Sequence, residues 1–139
     1  MENMLDGVNK SIEIPSDLGY IKQVSFEIMT YLERFKIEEA IQFDIRLVVE
    51  EAVRNAIEHG NCYDKSLPVK ITYHVSKDKF VIQIKDHGKG FDAAKVPDPR
   101  KEENLVKAGG RGVFLINKLM DRVEYEEKGT KVTITKYFK

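Results

Sequence analysis

A chain of 139 residues, 42% hydrophobic and 33% charged, has the size and composition of one folded domain, which excludes a disordered segment. Lysine plus arginine and aspartate plus glutamate number 23 each, so bulk charge offers no grip on nucleic acid or an anionic membrane. Cys62 is the only cysteine, which excludes an intramolecular disulfide and a cysteine-based zinc site, and no apolar run approaches the ~20 residues of a membrane helix. The N-terminus lacks the basic and apolar regions of a signal peptide. These features predict one cytoplasmic domain over residues 1–139, with Cys62 a free surface thiol in the polar turn Asn61-Cys62-Tyr63-Asp64.

In chain order, Lys10 to Ile14 alternates like a short strand, and Pro15-Ser16-Asp17 ends it and supplies a cap for a helix after it. Apolar residues at Ile21, Val24, Ile28, Tyr31, Leu32 and Phe35 predict that helix from Leu18 to about Phe35. A second helix is expected from about Glu38 to His59, with Ile41, Ile45, Val48, Ala52, Ala56 and His59 as its apolar stripe. Gly60-Asn61 reads as its C-cap. The period then falls to two over Val69 to Val75 and Phe80 to Lys85, a hairpin joined through Ser76-Lys77-Asp78-Lys79. Asp92 to Ala108 carries two prolines and eight charges without periodicity and reads as a long loop of the kind that forms lids. A third helix from Gly112 to about Met120 and strands over Arg122 to Glu127 and Lys131 to Phe138 close the chain. Met29 and Met120 read as core fillers. The order predicts an α+β two-layer sandwich, with helices packed on one face of a mixed, mostly antiparallel sheet.

Four stretches carry residues suited to chemistry. Glu51 and Asn55 lie four apart on the second helix, one above the other at the edge of its apolar stripe. An asparagine amide oxygen suits Mg²⁺, which keeps most of its waters, and a carboxylate one turn away suits proton abstraction from an attacking hydroxyl. A solvated helix edge carries the same pair without function, so the pair alone decides nothing. Asp86-His87-Gly88-Lys89-Gly90 follows a strand. Its glycines admit close backbone approach, and its carboxylate can accept a hydrogen bond from an exocyclic amine such as adenine's. Ala108-Gly109-Gly110-Arg111-Gly112 opens a helix, where free N–H groups and an arginine fork favour phosphate. Gly129-Thr130 is a turn whose hydroxyl can bridge to a base through water. The three histidines, His59, His74 and His87, show no ligand spacing.

In this order the stretches resemble the GHKL superfamily of ATP-binding domains, shared by gyrase subunits, Hsp-type chaperones, histidine kinases and anti-sigma-factor serine kinases. Glu51 to His59 matches that family's N box, Asp86-x-Gly88-x-Gly90 its first glycine box, Gly110-x-Gly112 its second, and Thr130 the threonine after them. Glu51 and the short chain make the likeness strongest to the anti-sigma serine kinases of the RsbW/SpoIIAB type. The resemblance implies ATP and Mg²⁺ as cofactors, with Glu51 as general base and Asn55 as the Mg²⁺ ligand. Asp86 would read adenine in a pocket shaped by Gly88 and Gly90, with Thr130 supporting the base. Gly110, Arg111 and Gly112 would hold phosphates, Arg111 nearest the γ-phosphate and so catalytic. It further implies a sigma factor and a small anti-sigma-factor antagonist as partners, with the antagonist phosphorylated on serine or threonine, and a possible homodimer, with neither nucleic acid nor membrane bound directly. Glu50, pointing about 100° from Glu51, is assigned to the surface. A nucleotide-dependent binding module and a slow ATP hydrolase of the same fold are the competing functions.

Overall fold

The computed structural model describes residues 7–88 and 110–138. The alternating segments pair into a five-stranded sheet of β1 (Val8–Ile14), β2 (Val69–Val75), β3 (Lys79–Lys85), β4 (Arg122–Glu126) and β5 (Lys131–Tyr137), in the order β1-β2-β3-β5-β4. All four described pairings are antiparallel, which narrows the expected mixed sheet. Alternation places Ile71, Tyr73, Ile82, Ile84 and Ile134 on one face, where they are buried beneath the helices. The other face carries Ser11, Thr72, Gln83, Thr133 and Glu124 as successive register partners, a polar row suited to water.

Helices α1 (Ile21–Arg34), α2 (Glu39–Asn55) and α3 (Gly110–Leu119) form the second layer. α2 lies in the middle, packed against both α1 and α3. Its buried residues Ile45, Val48, Val49, Ala52 and Val53 recur at three- and four-residue steps, so tertiary packing sustains the helix. Met120 is buried and Met29 packs against the same core, as gap-fillers should. Asp17 caps a short 3-10 turn, Leu18–Tyr20, by accepting a 2.9 Å hydrogen bond from Gly19 N–H, and that bond lowers its pKa.

Several expectations are corrected. α2 does not run as a regular helix to His59; a π turn, Ala56–Gly60, follows Asn55. The wider turn rotates the residues after Ala56, so Ile57 is buried and His59 leaves the apolar stripe for solvent. Gly60 keeps a negative φ and is no left-handed cap; Cys62 at φ 50° and Tyr63 at φ 60° take that conformation. The Tyr63 N–H then reaches back to the Ile57 carbonyl at 2.9 Å, closing the helix end. Glu50 is not a surface residue. Its side chain is only 17% exposed, because it turns toward α1 and accepts a 2.8 Å hydrogen bond from the Ser25 hydroxyl. Cys62 is exposed and free, as its turn predicted.

Candidate nucleotide-binding site

One half of the site forms where β3 and β5 leave the sheet together. Lys85 and Lys131 are register partners, so Asp86 and Thr130 are the next residues out, and the Asp86 N–H donates to the Thr130 carbonyl at 2.9 Å. The Asp86 side chain turns inward, leaving the residue 8% exposed, and its Oδ1 accepts from Gly88 N–H at 2.8 Å. Burial raises its pKa, against the opposing pull of the Gly88 N–H and of the nearby His87 and Lys85 side chains. Oδ2 has no hydrogen-bond partner among the described residues and packs against Gly60. A Cβ on Gly60 would overlap this carboxylate, and a Cβ on Gly88 would overlap the Gly60 carbonyl. Gly60 is glycine because the Asp86 side chain packs against it, and Gly88 because the strand end there touches the Gly60 backbone.

Asn61 fastens that contact. It is 2% exposed, and its Oδ1 accepts from His87 N–H at 2.7 Å. Its Nδ2 donates to Ser16 Oγ at 2.9 Å and faces the carbonyls of Leu67 at 3.1 Å and Pro68 at 3.2 Å. Ser16 Oγ in turn donates to the Leu67 carbonyl at 2.6 Å. The π turn makes this possible: Asn61 N–H bonds five residues back, to the Ala56 carbonyl at 2.8 Å, which swings the side chain inward.

The other half lies nine residues earlier, roughly 13 Å back along the α2 axis. Here the Glu51 carboxylate presses against the backbone of Gly112, so closely that a Cβ on Gly112 would overlap Oε1. Glu51 Oε2 accepts from Arg54 Nη1 at 3.1 Å; the two side chains are 22% and 43% exposed. Gly110, Arg111 and Gly112 form the first turn of α3 and do not precede it, so their N–H groups are among those a helix start leaves unpaired. Asn55 is half-buried between the two halves and makes no capping hydrogen bond to the turn after it.

The structure thus joins Glu51 to Gly112, and joins Asp86 and Gly88 to Thr130 through the Asp86–Thr130 bond, with Asn55 on the helix that spans the two. The Thr130 hydroxyl donates to the Glu127 carbonyl at 2.8 Å, leaving it only as an acceptor toward a ligand. Gly90 and the expected lid-like loop from Asp92 to Ala108 lie outside the described residues, and of Gly110 and Arg111 only the backbone is described. Sequence reasoning missed Arg54 and Asn61. The spacing of Arg54 three after Glu51 was a usable signal for an ion pair, whereas nothing local marks Asn61, whose partners are distant in sequence.

An α+β domain whose central helix carries Glu51 against a glycine-bearing helix start, Asn55 one turn on, and a glycine contact at its C-terminal end has the makings of a nucleotide-binding domain. A model describing the histidine kinase-like ATPase domain matches residues 14–136, and the chain belongs to that family. Within it, the chain is 33% identical over 110 residues to the serine-protein kinase RsbW of Listeria innocua, covering 71% of this chain and 67% of the relative. It is 30% identical over 136 residues to the serine-protein kinase RsbW of Staphylococcus aureus, covering 92% and 86%. These relatives place it with the RsbW serine-protein kinases. A crystal structure of the RsbU and RsbW domains of a Mycobacterium tuberculosis protein shares the fold, with a TM-score of 0.65 at 14% identity; the match covers 95% of this chain and 32% of that one. Membership of an ATPase family identifies ATP as the nucleotide. Among the described residues, no helix is long and apolar enough to cross a membrane.

Proposed function

We propose that this chain is a single cytoplasmic domain that uses Mg-ATP to phosphorylate a serine or threonine on a small anti-sigma-factor antagonist, and that it also binds a sigma factor. The observation that carries the catalytic part is the contact of the Glu51 carboxylate with Gly112, at a helix start suited to phosphate. Glu51 takes the proton of the attacking hydroxyl as its oxygen bonds to the γ-phosphorus. The bond from that phosphorus to the β–γ bridging oxygen breaks, and ADP leaves. Asp86 Oδ2 accepts from the adenine amine, and Thr130 offers an acceptor beside it. Gly88 and Gly90 shape that pocket, while Gly110, Arg111 and Gly112 hold the phosphates. The Asn55 amide, which makes no capping hydrogen bond to the turn after it, would fit Mg²⁺, because that ion keeps water and phosphate oxygens and needs few protein ligands. When bound, the ion supplies positive charge to the phosphates.

Labelled Mg-ATP and a candidate antagonist test the reading. Label on serine or threonine is expected; free phosphate alone, or tight ATP binding with no product, overturns the kinase. Glu51→Ala is expected to retain ATP binding and lose transfer by about 10²-fold or more. Asn55→Ala is expected to weaken Mg-ATP binding, and an unchanged affinity removes Asn55 from the metal site.

A further inference from the structure

Asn61 lies outside every motif that the proposed function uses, yet it is the most fully engaged buried polar side chain next to the site. We propose that Asn61 is a positioning residue for base selectivity, holding the Asp86 turn in the geometry that distinguishes a purine bearing an exocyclic amine from one bearing a carbonyl there. The proposal rests on the reading of Asp86 as the group that meets the base.

The argument is one of anchoring. Two bonds fix the backbone on either side of the Asp86 side chain: Asp86 N–H to the Thr130 carbonyl, and His87 N–H to Asn61 Oδ1 at 2.7 Å. The Asn61 amide is itself immobilised, because Ser16 Oγ and the Leu67 and Pro68 carbonyls occupy its donors. Its buried position makes an alternative water partner costly to recruit. A carboxylate discriminates an amine from a carbonyl only while its lone pairs are held in place, since a turn free to rotate would present backbone N–H groups to either base. Asn61 touches no base in this arrangement; it acts through the peptide after Asp86.

Binding of ATP and ITP, each with Mg²⁺, to the full chain by titration calorimetry tests this. ITP carries a carbonyl where ATP carries the amine. Asn61→Ala is expected to lower the ATP:ITP affinity ratio about tenfold, mostly through weaker ATP binding. Equal losses for both nucleotides, or an unchanged ratio, would make Asn61 a structural residue and overturn the proposal. If Asn61→Ala does not fold, Ser16→Ala decides by the same criterion, because it removes one Asn61 partner and leaves the bond to His87; a smaller fall in the ratio, about threefold, is expected. Asp86→Asn is the control: its amide can turn an NH₂ toward the ITP carbonyl, so its ratio should collapse. If that ratio holds, the Asp86 reading itself fails and the inference with it. If it collapses while both Asn61→Ala and Ser16→Ala keep the native ratio, only the role of Asn61 is lost.

Discussion

Asp86, proposed above to meet the base, carries a cost to the fold. Its carboxylate is buried with one backbone N–H as its hydrogen-bonding partner among the described residues, and burial raises its pKa above the ordinary 3.8. A carboxyl that holds its proton longer when folded contributes stability below the ordinary value, and loses that contribution as pH rises through the raised value. Near neutral pH the ionised group therefore opposes folding when no ligand is present. Asp86→Asn keeps an acceptor for Gly88 N–H and removes the charge. It is expected to stabilise the nucleotide-free protein at about pH 7 by on the order of 1 kcal/mol, with the gain shrinking toward about pH 4. Urea denaturation at the two pH values measures this; a destabilised variant at pH 7 would mean that the charge is compensated. Asp86 was legible in the sequence as a strand-end carboxylate before a glycine turn. Its burial was not, because the group that covers it, Gly60, comes from a helix end 26 residues away.

At the scale of elements, the start of α3 is built around its neighbour. Alanine is favoured over glycine by about 1 kcal/mol in a helix, yet Gly112 sits where a Cβ would displace Glu51. A flexible carboxylate can swing aside, so Gly112→Ala should change stability by less than about 1 kcal/mol, because the helix gain and the displacement oppose each other. Transfer should nonetheless fall about tenfold or more, since a carboxylate displaced by about 1 Å loses its alignment. Activity and thermal unfolding of the same preparation separate the two effects, and full activity would show that the contact is dispensable. The helices and strands themselves were readable from periodicity, since a stripe such as Ile45, Val48 and Ala52 is local information. The π turn was not: Ala56 to Gly60 carries no local signal for it, and the turn exists because Asn61 gains buried partners from three other segments. Likewise Glu50 looked like a surface residue until α1 placed Ser25 against it.

For the molecule as a whole, the proposed nucleotide site is a joint between layers. Its parts come from α2, the β3 end, the α3 start and the turn before β5, so a ligand seated there binds the folded chain and not the unfolded one. Mg-ATP at 100 times its Kd should add about 2.7 kcal/mol to stability. For a chain of this size that raises Tm by roughly 5–15 °C. Scanning fluorimetry with and without Mg²⁺ checks this. Asn55→Ala should abolish the difference that Mg²⁺ makes, and a shift unaffected by ATP would contradict binding at this site.

The bond between the Asp86 N–H and the Thr130 carbonyl also sets an order in time. During synthesis the ribosome delivers Glu51, Asn55, Asn61 and Asp86 long before Thr130, and until Thr130 emerges the turn after β3 lacks one of its two backbone anchors. A nascent chain stalled upstream of that residue would hold every earlier motif and still lack the bond that pins the carboxylate proposed to meet adenine.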